Sequence, residues 1–467
     1  MEHTQMDPPE PTGPLDLPDI SPPAMPPTTQ GDDADLGDRA IVRELQEATG
    51  VPADAMEAVF AGDESLIELR LPLADLSRLP TVIGGLTNLQ RLDLSGAHGE
   101  ALPAALGTLT GLYELDASVA NLGQLPPELG QLTSLRELYL HGNQLREMPP
   151  EIARLTDLQV LALGGNLLHD FPLQLSQLPN LEWLFLDGNL ITYVPADVGL
   201  MMSLRRLDLS GNRLRQLPPE IGKLHALERL DVRGNQLTAL LPEIGMLTNL
   251  RELYVWGNHL THLPPEIGNL TSLHRLYVGG NQLTHLPPEI GNLTSLLELD
   301  LSGNRLSELP PEIGNLTSLR ELDLAGNLLT GLPDTVSNLA SLQRLDLNGN
   351  QISVLPAAIG QLNNLRELDL KFNSLRLLPS EIGMLHRLQV LDVRGNTLIR
   401  LPNALGNLRD LIALNLEGNR LESLPDSFAQ LTNLSMLDLR GNALRRVPPV
   451  LQGMTIAELY LQENPLR

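Results

Sequence analysis

The side chains best suited to bind a metal ion are two histidines and a glutamate that recur at one spacing. His262, His285 and Glu308 are 23 residues apart, and imidazole nitrogens and carboxylate oxygens are common zinc ligands. Residues 260–273 and 283–296, however, are identical. Duplication of a surface segment explains the histidine pair without a metal, and we favour that interpretation. No metal and no cofactor are expected.

A second series consists of aspartates with the same 23-residue spacing. A row of carboxylates is suited to binding a cation or a basic partner. The alternative, which we favour, is that Asp is the consensus residue at this position of a repeated unit and that nearby arginines offset its charge. The aspartates are Asp300, Asp323, Asp346, Asp369 and Asp392, and the arginines are Arg320, Arg344 and Arg366.

Aromatic residues make up only 3% of the chain, and many of them fall at related positions of this spacing, together with arginines. Tyr, Trp and Arg are the residue types that most often anchor protein interfaces. We therefore predict exposed rings that bind a partner; the alternative is repeat drift, with rings packing on one another. The predicted site residues are Tyr139, His141, Trp183, Phe185, Arg206, Arg229, Arg233, Tyr254, Trp256, Arg275 and Tyr277.

All these residues belong to a repeat that runs from residue 66 to the end of the chain. Asn recurs every 23 residues from Asn143 to Asn442. Ala74, Ala97 and Ala120 keep the same phase upstream, and an Asn closes the series one residue early. The pattern indicates about 18 units, and such regularity is typical of a solenoid.

The segment 310–327 illustrates what one unit is expected to form. Leu322 and Leu324 alternate with acidic residues, which is typical of a short strand with one buried face. The buried amide of Asn327 needs hydrogen-bond partners, and in a stack it can bond the backbone of neighbouring units as a ladder. Residues 310–316 begin with proline and place Ile and Leu inward, which predicts a short helical or 3₁₀ turn. No unit buries its leucines alone, so the units must stack.

The repeats resemble those of leucine-rich repeat proteins of the 23-residue class. Residues 263–273, 286–296 and 309–319 all read Leu-Pro-Pro-Glu-Ile-Gly-Asn-Leu-Thr-Ser-Leu. They are similar to intracellular plant Ras-group, Scribble-type and Roco arrays and to bacterial leucine-rich repeat effectors. The resemblance covers residues 62–467 and implies an α/β solenoid. It is a horseshoe with a parallel β-sheet on the concave face and short helices or 3₁₀ turns on the convex face, and the predicted site lies on the concave face.

The N-terminal part has a different character. Residues 1–37 are acidic and Pro-rich, and we predict that they are disordered. Residues 38–61 contain two stretches of helical spacing separated by Gly50 and Pro52, which predict two short helices that cap the solenoid of residues 62–467. Residues 1–65 carry 15 acidic and 2 basic side chains, about half of the formal net charge of -25.

Charge and composition exclude several classes of function. The acidic balance argues against nucleic-acid and anionic membrane partners. The absence of Cys excludes disulfides, Cys-ligated zinc and cysteine nucleophiles. Because extracellular relatives usually carry Cys-rich caps, it also favours a cytoplasmic location. The sequence shows neither a transmembrane stretch nor a Sec-type signal.

No catalytic motif is present, so we predict that the chain is not an enzyme. The favoured function is a protein-interaction module, a scaffold or adaptor in signalling, that binds a protein on its concave face. The alternative is a secreted bacterial effector acting on host proteins, with the N-terminal segment as export signal. Its scarcity of lysine fits evasion of ubiquitination, although a GC-rich genome explains that equally. A third hypothesis is an enzyme, either a ligase adaptor or a metal-dependent hydrolase at the histidines.

The last predicted strand, near Leu459 and Leu461, has no cap after it. An uncovered sheet edge over a bare core is a liability. We therefore expect the last turn to fray or another chain to cover it, as in end-to-end self-association through the C-terminal repeat.

Overall fold

The computed structural model describes residues 35–52 and 54–467. The predicted disordered segment 1–37 therefore lies almost entirely outside the described residues, and its last three residues begin a helix. The described residues divide into two compact units, the first ending at Asn235 and the second beginning at Gln236.

The first unit opens with one α-helix and a β-hairpin. Helix α1 spans Asp35–Thr49, and strand β1 (Glu57–Phe60) pairs antiparallel with β2 (Leu66–Arg70). The second of the two predicted helices is therefore wrong. Val59 and Phe60 have side chains that favour strands, and β1 covers the outer edge of β2. No helix in the described part of the chain is long and apolar enough to cross a membrane.

After the hairpin, strands β2 to β9 of the first unit are parallel, and each pairs with the next. Short 3₁₀ turns connect them. The strand bounds are β3 Arg91–Asp93, β4 Glu114–Asp116, β5 Glu137–Tyr139, β6 Val160–Ala162, β7 Trp183–Phe185, β8 Arg206–Asp208 and β9 Arg229–Asp231. The 3₁₀ bounds are Leu76–Arg78, Thr81–Gly85, Ala104–Thr108, Pro127–Gln131, Pro150–Arg154, Leu173–Gln177, Ala196–Leu200 and Pro219–Lys223.

The second unit repeats this arrangement with parallel strands β10 to β19. The strand bounds are β10 Glu252–Tyr254, β11 Arg275–Tyr277, β12 Glu298–Asp300, β13 Glu321–Asp323, β14 Arg344–Asp346, β15 Glu367–Asp369, β16 Val390–Asp392, β17 Ala413–Asn415, β18 Met436–Asp438 and β19 Glu458–Tyr460. The 3₁₀ bounds are Pro242–Met246, Pro265–Asn269, Pro288–Asn292, Pro311–Asn315, Asp334–Asn338, Ala357–Gln361, Ser380–Met384, Asn403–Asn407, Asp426–Gln430 and Pro449–Gly453.

The prolines and the small residues of one repeat explain its shape. Pro310 is extended and Pro311 starts the 3₁₀ turn, since the first residues of such a turn need no backbone N–H donor. Ile313 and Leu316 are fully buried. Successive turns approach so closely that a Cβ on Gly314 would lie 2.4 Å from the Thr335 carbonyl oxygen. The predicted 3₁₀ turn is confirmed.

The repeated asparagines form the predicted ladder. The amide Nδ2 of Asn327 donates to the carbonyls of Leu301 (2.9 Å), in the preceding repeat, and Leu324 (3.0 Å), in its own. Its Oδ1 accepts from the backbone N–H of Leu306 at 3.0 Å. One side chain thus fixes the turn of its own repeat and the spacing to the repeat before it. Every donor and acceptor involved is buried, so the amide cannot be exchanged for an apolar group without loss.

The last strand, β19, is more exposed than the other strands of the second unit. Leu459 is 37% exposed, whereas Leu437, its partner in β18, is fully buried. The exposure of these residues agrees with the sequence analysis. Coverage by a second chain stays a prediction.

We expect Asn327→Ala to lower the free energy of unfolding by about 2–4 kcal/mol, because it leaves three buried backbone groups without their partners. Urea denaturation monitored by circular dichroism measures the change. Asn315→Ala is the matched control, since Asn315 lies exposed on a 3₁₀ turn. Equal effects of the two substitutions would contradict the ladder's role.

Candidate functional site

The predicted site residues lie on the side of each sheet opposite the leucine core, which we call the strand face. On β5 and β7 of the first unit, Tyr139 and Phe185 flank Ala162 of β6 in register. Because Ala162 and Val160 are small, the two rings close over them, and all four side chains are buried. Tyr139 and Phe185 were expected to be exposed, and that expectation is wrong. For this group the alternative of rings packing together is confirmed.

Trp183 and Arg206 cover the buried ring of Phe185. The guanidinium of Arg206 lies 4.7 Å from the ring centroid of Phe185 and 5.5 Å from that of Trp183. The two rings are tilted by 59° with centroids 6.3 Å apart. Arg206 is itself buried, whereas Trp183 is half-buried. Trp183 is thus the ring of this group that a partner can reach.

Polar groups at the other end of this cluster are held by burial. The Tyr139 hydroxyl donates to Glu137 Oε2 at 2.5 Å. Burial, and then this hydrogen bond to a carboxylate, raise the pKa of Tyr139 above its usual range. Burial also lowers the pKa of His141. A neutral, half-buried imidazole at this position is suited to hydrogen bonding rather than to charge attraction.

The predicted arginines of β9 and its following loop contact aspartates on the same face. Arg233 donates from Nε to Asp231 Oδ1 at 3.0 Å, and its Nη2 lies 2.8 Å from Oδ2. Arg229 Nη2 lies 4.0 Å from the same carboxylate. Burial, and then the charge of Asp208, raise the pKa of Asp231 to about 6. These arginines therefore compensate buried carboxylates.

In the second unit, Tyr254 and Tyr277 form a stacked pair. They occupy paired positions of β10 and β11, with centroids 5.0 Å apart and planes inclined by 7°. The Tyr254 hydroxyl donates to Glu252 at 3.1 Å, and that of Tyr277 donates to Glu298. Tyr254 is buried, contrary to the expectation of an exposed ring, and Tyr277 is half-buried.

Arg275 and Trp256 complete this group, which we call the tyrosine cluster (Tyr254, Tyr277, Trp256, Arg275). Arg275 bridges Glu252 at 2.7 Å and Glu298 at 3.1 Å, the same two carboxylates that accept from the tyrosines. A Cβ on Gly279 would come 2.7 Å from Trp256 Cδ1, so the indole lies over the glycine of the next repeat. Trp256 is half-buried. The cluster is a fixed arrangement of three rings and one cation.

The aspartate column of the second unit has a structural role. The Oδ1 atoms of Asp300, Asp323 and Asp392 each accept from the backbone N–H two residues later, at 2.8, 2.9 and 3.0 Å. Such Asx turns end each strand. Asn415 takes the same place in β17 and accepts in the same way from Glu417. Turn formation, rather than ligand binding, explains the column, and this agrees with the favoured interpretation.

Close packing of like charges perturbs these aspartates. Burial, and then the charge of Asp346, raise the pKa of Asp323 to about 7. Burial, and then the charge of Asp369, raise the pKa of Asp346 to about 6. Burial also raises the pKa of Asp392 to about 6. Both effects disfavour the ionised carboxyl.

His262 and His285 do not assemble into a metal site with Glu308. Each imidazole Nδ1 is within 3.1 Å of the hydroxyl of the preceding threonine, at the exposed surface. Among the described residues, no group of three or more His, Asp or Glu side chains is arranged to hold a metal ion. The two histidines are therefore placed as duplicated surface residues.

Sequence reasoning missed Phe372. In most repeats the residue before the ladder position is a glycine with positive φ, such as Gly349 (φ 65°) and Gly395 (φ 63°). Phe372 takes this position with φ 53° and is 56% exposed. The signal was available, because Phe interrupts a column of glycines in the sequence.

Parallel strands, 3₁₀ turns and an asparagine ladder in a 23-residue period define the repeat. A family model described as "Leucine-rich repeat region" matches residues 190–281, 276–373 and 358–452, and one described as "Leucine rich repeat" matches residues 123–191. The chain belongs to the leucine-rich repeat family. Domains of this family are typically protein-interaction modules and generally not enzymes, which supports a protein-binding role.

Solved structures of other leucine-rich repeat proteins are similar to this chain. A leucine-rich repeat protein of Leptospira interrogans is 37% identical, with 83% of this chain and 94% of that chain covered and a TM-score of 0.70. The plant peptide hormone receptor RGFR1, solved in complex with RGF2, is 27% identical, with 87% and 82% covered and a TM-score of 0.65. A TDR receptor is 28% identical, with 86% and 76% covered and a TM-score of 0.71. No match was found among curated proteins.

We expect Phe185→Ala to reduce the free energy of unfolding by about 3–5 kcal/mol, because the ring is fully buried among packed side chains. Trp183→Ala, which removes a half-buried ring from the same strand, serves as the control with a smaller loss. Chemical denaturation compares the two variants. A larger loss from Trp183→Ala than from Phe185→Ala would contradict the packing described above.

Asp323→Asn is expected to stabilise the protein near pH 8 by about 1–3 kcal/mol, since one pKa unit corresponds to about 1.4 kcal/mol and neighbouring carboxyls share the protons. The pKa of Asp323 is raised to about 7 in the folded protein, so ionisation of this residue costs stability as the pH rises from about 4 to 7. The gain should vanish near pH 4. Melting temperatures across this range measure it, and Asp323→Ala, which loses the Asx acceptor, should destabilise at both ends. A pH-independent gain would contradict this account.

Proposed function

We propose that the chain is a non-enzymatic protein-interaction module, a scaffold or adaptor in signalling, and that the tyrosine cluster on the strand face of the second unit binds its protein partner. The observation that carries this proposal is the stacked pair Tyr254–Tyr277, locked by the Glu252–Arg275–Glu298 ion pairs. An interaction module needs rigid anchors, and these rings are ordered before a partner arrives.

The geometry of the cluster favours binding over a purely structural role. The leucine core lies on the opposite side of the strands, so the second unit does not need these rings to bury its leucines. Tyr277, Trp256 and Arg275 keep part of their surfaces accessible. Half-buried aromatic and arginine side chains with fixed rotamers lose little entropy on binding, and they are the usual centres of interface energy.

In the first unit, Trp183, Arg206, Arg229, Arg233 and His141 form a further candidate contact region on the strand face. There we assign Tyr139 and Phe185 a supporting role, because both are buried beneath the residues that a partner would touch. The relative RGFR1, which was solved in complex with RGF2, supports a protein or peptide ligand for this fold.

The second candidate function is a secreted bacterial effector that acts on host proteins through its repeats. The 37% identity to a Leptospira interrogans protein favours a bacterial setting, which the effector hypothesis requires. A cytoplasmic scaffold and an exported effector differ in where the N-terminal segment takes the chain. Fusion of residues 1–40 to a translocation reporter separates them, and absence of transfer into host cells would exclude export by this segment.

End-to-end self-association through β19 is a further proposal about partners. Leu459 and Tyr460 are 37% and 36% exposed on this strand. Analytical ultracentrifugation of the whole chain with Leu459→Glu tests it: mass that falls with the substitution supports association through β19, and a monomer at all concentrations excludes it.

We expect Trp256→Ala combined with Tyr277→Ala to abolish specific partner capture while the fold is retained. The immobilised chain is used to capture proteins from lysate, and bound proteins are identified by mass spectrometry and then titrated individually. Tyr193→Ala is the matched control, because this tyrosine is 54% exposed and lies outside the strand face. Unchanged affinity of the double variant for every captured protein would refute the tyrosine cluster as the binding site.

A further inference from the structure

The loops that leave the strands of the second unit differ sharply in charge along the chain. We define an exit loop as the residues between the end of a strand and the next 3₁₀ turn. The exit loops after β15 to β18 are 370–379, 393–402, 416–425 and 439–448. They contain eight basic and two acidic side chains, whereas the five exit loops after β10 to β14 contain one of each. A basic surface has therefore been built into a chain of net charge -25.

Three of these basic groups are neutralised by the aspartate column. Lys371 Nζ lies 2.6 Å from Asp369, Arg394 Nε lies 3.6 Å from Asp392, and Arg440 Nη2 lies 2.5 Å from Asp438. The remaining five are exposed and form no ion pair with any described residue. They are Arg376, Arg400, Arg420, Arg445 and Arg446.

Exposed apolar side chains accompany the arginines in this region. Val354, Leu377 and Ile399 are exposed in the exit loops after β14, β15 and β16. Phe372 is the most conspicuous, because a bulky residue at positive φ is strained and glycine would remove the strain. Backbone strain at an exposed aromatic residue points to a role outside the fold.

The ring of Phe372 is held in a defined place. A Cβ on Gly395 would lie 2.5 Å from Phe372 Cδ1, so the ring rests on the bare backbone of the next repeat. The guanidinium of Arg394 lies 5.3 Å from the ring centroid. One face of the ring is thus supported, and more than half of the residue remains exposed.

We infer that the exit loops after β14 to β18, centred on Phe372, bind an acidic segment of a partner protein that carries bulky apolar side chains. The unpaired arginines attract its carboxylates, and Phe372, Val354, Leu377 and Ile399 receive its apolar groups. Nucleic acids and anionic lipid headgroups fit less well, because phosphates make no use of exposed aliphatic side chains and the net charge repels polyanions. This surface is separate from the strand face of the proposed function.

The test uses the whole chain and a phage-displayed library of random dodecapeptides. Enriched peptides should be acidic and should carry aromatic or aliphatic residues. Their affinity, measured by fluorescence anisotropy, should fall at least tenfold with Arg376→Gln, Arg400→Gln and Arg420→Gln combined. Arg213→Gln with Arg215→Gln, exposed arginines of the first unit, should leave it unchanged.

Phe372→Gly provides the sharper variant, since it restores the residue that most repeats have at this position. We expect an equal or higher melting temperature together with at least tenfold weaker peptide binding. A lower melting temperature with unchanged binding would make Phe372 a structural residue and overturn the inference. Enrichment of non-acidic peptides would also overturn it, as would arginine-dependent binding of phosphatidylserine vesicles or oligonucleotides without peptide binding. Trp256→Ala should not affect the peptide, so failure here is distinct from failure of the strand-face proposal.

Discussion

The hydrogen bonds of the asparagine ladder are the constraint on which the rest of each unit depends. Each amide satisfies carbonyls in its own repeat and in the preceding one, and it accepts from a backbone N–H of that preceding repeat. This arrangement keeps consecutive strands in register at a spacing of 23 residues. Every side-chain column on the strand face, whether aspartate, tyrosine or arginine, follows from that register. Where alanines replace the amides, in the first repeats, adjacent backbones pair directly instead, as between Asp75 and His98.

Local pattern predicted the repeat well, and it predicted the fate of individual side chains poorly. The positions of Leu322, Asn327 and Pro311 specify strand, ladder and 3₁₀ turn through chemistry that lies within the repeat itself. Burial of Phe185 depends instead on the size of Ala162 in the neighbouring strand, and exposure could not be read from the position of Phe185 alone. The second N-terminal helix failed for a related reason. Val59 and Phe60 fit a helical spacing, yet the open edge of β2 offers hydrogen bonds that favour a strand.

Charge on the strand face and charge on the exit loops have different physical consequences. Strand-face aspartates cap their own turns and face buried arginines or lysines, so their charge is largely consumed by the fold. The arginines of the exit loops after β15 to β18 lie at the exposed surface instead. Total charge therefore describes the chain badly, since attraction to a partner is set by these local surfaces.

The glycines that precede the ladder positions also limit where new side chains can appear. Leu73 packs over Gly96, Val119 over Gly142 and Phe372 over Gly395, each time occupying the space that a Cβ in the following repeat would need. A bulky residue at this position therefore forbids one in the next repeat. Variation along this column obeys a nearest-neighbour exclusion, and apolar anchors there can be no denser than one in every two repeats. The family can diversify this surface only in steps of about two strand spacings, close to 10 Å.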